Sequence, residues 1–316
     1  MQNQWILPYP ISLSFYSGAR FLLYYKMHLK DDAHKIFPSA QEDAELAEHV
    51  FESSQTRSPS YKLAFMDQDF LLQDELRPVR LQLELLKPEL IQREMGIKDT
   101  VVIFGSTKIR EEAHARLSLK EAEAAAAPDP MDERLARNVR IARSLYEKSR
   151  YYEEARKLAS LISANNGDSL VVVTGGGPGI MEAANRGACE VGAKTVGLSV
   201  ILPNERPNIY ITPELCFQFH YFALRKMHFL MRAKALVVFP GGFGTLDELF
   251  ETLTLMQTRK IHHMPVMLVG ERYWKRIINF EALMEEGSIA FDDLSIFSFV
   301  ETAEEAWATI RDKLSL

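Results

Sequence analysis

The chain has 316 residues with a formal charge of −6; 47% are apolar and 25% charged. That size supports a packed core without metal or disulfide staples, and the composition excludes wholesale disorder. The acidic excess does not suit non-specific binding of a nucleic-acid backbone, which calls for a basic surface. Two cysteines outside any Cys-x-x-Cys pair, Cys189 and Cys216, exclude a disulfide framework and fit reduced thiols in a cytoplasmic setting.

In chain order, residues 5–29 are apolar and aromatic, but Pro8, Pro10, Gly18, Arg20 and Lys26 interrupt them, so neither a membrane span nor a signal peptide is expected. Residues 1–98 read as a helical N-terminal extension. Glu42 to Phe51 and Glu75 to Met95 carry apolar residues at three- and four-residue spacing. In the second, Leu76, Leu83, Leu86 and Leu90 predict one buried stripe, with turns or kinks at Pro78 and Pro88. Asp67, Asp69 and Asp74 read as a solvated loop rather than a metal loop, which wants a glycine and more oxygen ligands.

The character changes at Thr100. Residues 101–104, 170–174, 195–200, 235–239 and 265–269 are short, continuous apolar runs, separated by helical stretches that include a long one over 132–165 and another over 218–234. A Thr302-x-x-Glu305 capping box opens a final helix. Apolar strands alternating with helices predict an α/β fold over 99–316: a Rossmann-like, doubly wound parallel sheet with helices on both faces.

Such sheets bind ligands where strand ends meet helix starts. Two of these junctions are glycine-rich: Gly175-Gly176-Gly177-Pro178-Gly179 before a helix over 180–191, and Pro240-Gly241-Gly242-Phe243-Gly244-Thr245 before a helix over 246–256. Unpaired amides and the positive helix end make each a phosphate cradle. Neither has the Gly-Lys-Ser/Thr ending of a triphosphate loop, and Ile180 breaks the dinucleotide fingerprint.

From Leu215 to Leu246 there is no acidic residue, while Arg225, Lys226, Arg232 and Lys234 all fall there. In a helix, Arg225, His228 and Arg232 share a face with Phe222 and Phe229 turned inward; this face serves either the cradle or the solvent. Glu248 also has two readings. Thr245-x-x-Glu248 fits a capping box, and a carboxylate at the mouth of an anion site also suits stabilising positive charge on a sugar ring as a C–N glycosidic bond breaks.

The run Pro240-Gly241-Gly242-Phe243-Gly244-Thr245-Leu246-Asp247-Glu248 resembles the PGGxGTxxE signature of the LOG (Lonely Guy) family, nucleoside 5′-monophosphate phosphoribohydrolases long mislabelled lysine decarboxylases. Arg225-Lys226 resembles the family's Arg-Lys element, Gly175 to Met181 its first glycine loop, and Phe104-Gly105-Ser106 its opening turn. The resemblance covers about residues 100–270, with segments longer than compact members have, as in the larger bacterial branch. It implies Arg225 and Glu248 as the catalytic pair. It implies Gly105, Ser106, Gly176, Gly177, Gly179, Lys226, Gly241, Gly242, Gly244 and Thr245 around the phosphate and ribose. The implied reaction splits an AMP-like nucleotide into free base and ribose 5-phosphate, with no cofactor or metal, in a homodimer or higher oligomer acting on neither nucleic acid nor membrane. A non-catalytic nucleotide sensor would use the same cradle, and amino-acid decarboxylation would need Lys226 as a Schiff base. Glu182, where compact members often carry glycine, lines the pocket or favours the helix start.

Overall fold

The computed structural model describes residues 37–166, 169–203 and 206–316; the apolar stretch 5–29 lies outside them. The chain divides into two compact units between Leu76 and Arg77.

In the first unit, helix α1 (Ala40–Ala47) opens with a capping box between Ser39 and Glu42. It stops short of the expected Phe51, having no buried residue with which to extend a packed face. Helix α2 (Gln68–Leu71) is capped by Asp67, whose carboxylate accepts from the Phe70 amide at 3.4 Å and faces Lys62 at 3.9 Å. Asp67 is therefore a helix cap rather than part of a solvated loop. Among the described residues no His/Cys/Asp/Glu group is arranged to hold a metal ion.

The second unit starts with helix α3 (Arg77–Glu94), which runs unbroken through both prolines. Pro78 sits in the first turn, where a missing N–H costs nothing. Leu83, Leu86 and Leu90 are about half exposed. The inward face is instead the one carrying Leu81, Leu85, Pro88 and Gln92.

There follow β1 (Asp99–Phe104), α4 (Glu112–Ala126), α5 (Glu133–Lys148), α6 (Arg150–Asn166), β2 (Leu170–Thr174), α7 (Ile180–Glu190), β3 (Thr195–Val200), β4 (Cys216–Phe219) and α8 (Phe222–Met231). The chain continues through β5 (Ala233–Val238), α9 (Phe243–Gln257), β6 (Val266–Val269), α10 (Glu271–Ile277), α11 (Phe280–Glu285), β7 (Ser298–Val300) and α12 (Ala303–Leu314). The expected single helix over 132–165 divides at Ser149, whose hydroxyl donates to the Tyr146 carbonyl at 2.7 Å and competes with the helical ladder. The expected helix over 218–234 is three elements. Phe217 and Phe219 alternate inward as strand β4, and Arg232 leaves the helical region at φ −119° before β5 begins.

Among the described residues, all seven strands are parallel, in the order β4-β3-β2-β1-β5-β6-β7. The sheet is α/β and doubly wound, with helices on both faces. Val101 and Ile103 of β1 join the core formed with α6, α7 and α12; Val102 and Phe104 join the core under α8, α9 and α10. The chain winds outward from β1 through β2 and β3 to β4, then returns to β5 on the other side of β1 and winds outward to β7, so a topological switch point lies between β1 and β5.

Candidate active site

At the carboxyl ends of the central strands lies a cleft of about 500 Å³, in the range that holds small ligands. It is lined from β1 by Gly105 and Ser106, from the first glycine loop by Gly175 and Gly177, from β3 by Ser199, from α8 by Arg225, and from α9 by Gly242, Gly244, Thr245 and Glu248. A larger hollow, about 660 Å³, opens at the other end of the strands, but neither a carboxylate nor a glycine turn lines it. The chemistry therefore belongs to the cleft.

Its first loop is held from beneath by a buried polar network. The Thr174 hydroxyl donates to Asn185 at 2.7 Å and accepts from the Gly176 amide at 2.9 Å, while Asn185 donates to Thr195 at 2.7 Å. Asn208 donates through its side chain to the carbonyls of Gly176 and Gly177 at 3.0 and 3.1 Å. Gly176 and Gly179 both take φ +75°. A side chain at Gly179 would meet the backbone of Ser106 and Thr107, so glycine there lets the first loop pass against the β1 turn. The Ile180 amide donates to the Ser106 carbonyl at 3.1 Å and locks the two turns together.

The second loop is fixed by Tyr273, whose hydroxyl donates to the Gly241 carbonyl at 2.6 Å. Helix α9 starts at Phe243 with Gly242 as its cap residue, earlier than the expected Leu246. Thr245 is thus already inside the helix, and the Thr245–Glu248 capping box does not form. The amides of Phe243, Gly244 and Thr245 belong to the first turn, where backbone N–H groups have no partner within the helix.

Glu248, one turn further in, is 7% exposed yet lines the cleft. Burial raises its pKa to about 7 against the pull of Lys226 and Arg225. The Arg225 guanidinium is held by a 2.8 Å bond from Nε to the Leu198 carbonyl and lies over the Phe229 ring at 5.1 Å. Arg225 and Glu248 therefore stand in one cavity between the two loops.

The rest of the cationic island has other partners. Lys226 bonds Asp247 at 2.8 Å and Glu251 at 3.0 Å and is absent from the cleft lining, unlike the phosphate-side placement expected from sequence. Arg232 pairs with Glu89 at 2.6 Å, and Lys234 with Asp99 at 3.4 Å. His228 is buried against Phe219, and burial lowers its pKa. Phe229 packs inward, but Phe222 is half exposed at the cleft wall. Glu182 turns away to accept from Tyr152 at 3.0 Å and Arg110 at 3.4 Å.

Sequence reasoning missed Lys108, Arg206 and Gln218, which line the cleft from loops and an edge strand, and Asn208, which holds the first loop. A polar Asn185 directly after Ala183-Ala184, on the side of the helix that faces the core, was the available signal for that network.

Fold and cleft define an α/β protein with an acid and a guanidinium between two glycine turns. A family model described as "Possible lysine decarboxylase" matches residues 181–310. The chain is 29% identical over 176 residues to the probable cytokinin riboside 5′-monophosphate phosphoribohydrolase LOGL3 of Oryza sativa subsp. japonica, covering 53% of this chain and 77% of that protein. It is 29% identical over 166 residues to cytokinin riboside 5′-monophosphate phosphoribohydrolase LOG4 of Arabidopsis thaliana, covering 50% and 74%. Over about half of its length the chain is thus similar to proteins of the LOG family. Among solved structures, the molybdenum cofactor carrier protein of Chlamydomonas reinhardtii matches with 15% identity and a TM-score of 0.41 over 69% of this chain and 99% of that one, a likeness too loose to bear on function.

Proposed function

We propose that the protein hydrolyses the N-glycosidic bond of a nucleoside 5′-monophosphate of the AMP type, giving free base and ribose 5-phosphate. The observation that carries this reading is the confinement of Glu248, a buried carboxylate poised near neutrality, in one cleft with Arg225 and two glycine-rich helix starts. The amides at Gly242, Gly244 and Thr245, with Gly177 opposite, take the 5′-phosphate, and Arg225 neutralises its charge. As the bond from C1′ to the base nitrogen breaks, its electron pair leaves with the base and positive charge builds on the ribose ring. Glu248 faces that charge and orients the attacking water; the water oxygen bonds to C1′, and the proton it loses passes by way of the Glu248 carboxylate to the departing base nitrogen. One water is consumed per base released.

The decarboxylation reading loses its residue, since Lys226 is committed to two carboxylates outside the cleft lining. We further propose that the protein works as a homodimer. Phe243 is 93% exposed, and with Phe250 and Leu246 it forms an apolar face on α9 beside the cleft.

The test is a panel of purine and pyrimidine nucleoside monophosphates assayed for free base, with binding of each measured in parallel. Release from at least one supports hydrolysis. Tight binding with no release from any of them identifies a sensor instead.

A further inference from the structure

Helix α8 carries Arg225 into the cleft, yet its own cap residue, Tyr221, supplies no side-chain cap. The cap comes from another helix. The Glu84 carboxylate of α3 accepts from the His220 amide at 2.7 Å and the Tyr221 amide at 3.1 Å. At the far end of α8, Arg232 makes a bidentate pair with Glu89 of the same helix α3, both bonds 2.6 Å, and its Nε donates to the Ile97 carbonyl at 3.2 Å. The Arg232 carbonyl then accepts from the Thr100 amide of β1 at 2.9 Å.

We propose that α3 is a clamp whose Glu84 is a positioning residue for Arg225. The first helical bond of α8 runs from the Arg225 amide to the Tyr221 carbonyl at 3.2 Å, so the residue Glu84 grips is the one that starts the turn bearing the guanidinium. Two amides held by one carboxylate fix the direction in which the chain enters α8. A negative charge at that end also complements the helix dipole. Glu89 fixes the other end, where α8 gives way to β5. Between these anchors the backbone of α8 has little freedom to slide, and Arg225 keeps its bond to the Leu198 carbonyl and its place opposite Glu248. Phosphate recognition by a planar guanidinium depends on such placement, because a shift on the order of 1 Å costs up to about a hundredfold in rate.

This proposal rests on the hydrolase reading, and wild-type base release checks that reading separately. The clamp is tested by a double-mutant cycle between Glu84→Ala and Arg225→Ala, reading kcat/KM and the dissociation constant for AMP. The expected result is a loss of about tenfold in kcat/KM and weaker AMP binding on Glu84→Ala in the wild-type background, and less than about twofold on either in the Arg225→Ala background. Equal losses in both backgrounds, or none in either, overturn the proposal, because a merely structural contact acts regardless of Arg225. Should Glu84→Ala fail to fold, Glu84→Gln keeps an acceptor for the amides while losing the charge; the same cycle with it is expected to give a smaller loss that again vanishes without Arg225. If wild type binds AMP but releases no base, the hydrolase reading fails while the binding arm of the cycle still decides the clamp.

Discussion

Among single residues, the proposed hydrolysis turns on the charge state of Glu248. Burial holds its pKa at about 7, against the usual 4.5, while Lys226 and Arg225 pull it back down. The proposed reaction needs the ionised carboxylate, so kcat/KM is expected to rise with pH through about 7 and then level. Removing the positive charge in Arg225→Ala is expected to move that rise to higher pH; an unmoved profile would separate the two groups. The same shift has a stability consequence of definite sign. Between about pH 4.5 and 7 the folded chain keeps a proton that the unfolded chain has lost, so stability falls across that window as pH rises. Glu248→Gln escapes this penalty. It is expected to be more stable than wild type by up to about 3 kcal/mol above pH 7, and equal to it below pH 4.5, by denaturant unfolding. Such a gain with lost activity is the usual relation between a functional acid and the stability it costs.

At the scale of elements, the loops are held by their backbones. Gly179→Ala combines an unfavourable φ with a clash against Ser106 and Thr107. It is expected to cost about 1–3 kcal/mol in thermal unfolding and to abolish phosphate binding. Gly192→Ala, also at φ +75° but facing open space, is expected to cost only the backbone strain and leave binding intact. The five central strands and both glycine turns were legible because continuous apolar runs ending in glycine have few other physical outcomes. Strands β4 and β7 were not, since four- and three-residue edge strands with half-exposed patterns carry too few apolar positions to stand out. The face of α3 was misread because leucines at helical spacing do not say which side meets the core; Leu81 and Leu85 turn inward while Leu83, Leu86 and Leu90 do not. Arg225 and Lys226 are adjacent in sequence, yet only Arg225 lines the cleft, a difference set by Asp247 and Glu251 on α9. Nothing in the spacing of the cationic run foretells that.

For the whole molecule, the exposed α9 face and the proposed dimer stand together. Sedimentation is expected to give a dimer for wild type and a monomer for Phe243→Asp; a wild-type monomer would remove the dimer from the account. Among the described residues no helix is long and apolar enough to cross a membrane, and the cleft lies at the switch point of a sheet whose two cores fix its position from both sides. The proposed chemistry concerns one bond, so the most direct measurement is of which bond breaks. AMP incubated with wild type and with Glu248→Gln, and analysed by chromatography, is predicted to give adenine and ribose 5-phosphate in equal amounts with wild type. The variant is predicted to be slower by at least about a hundredfold. Recovery of intact AMP, release of adenosine and phosphate, or equal turnover by the variant would contradict the account.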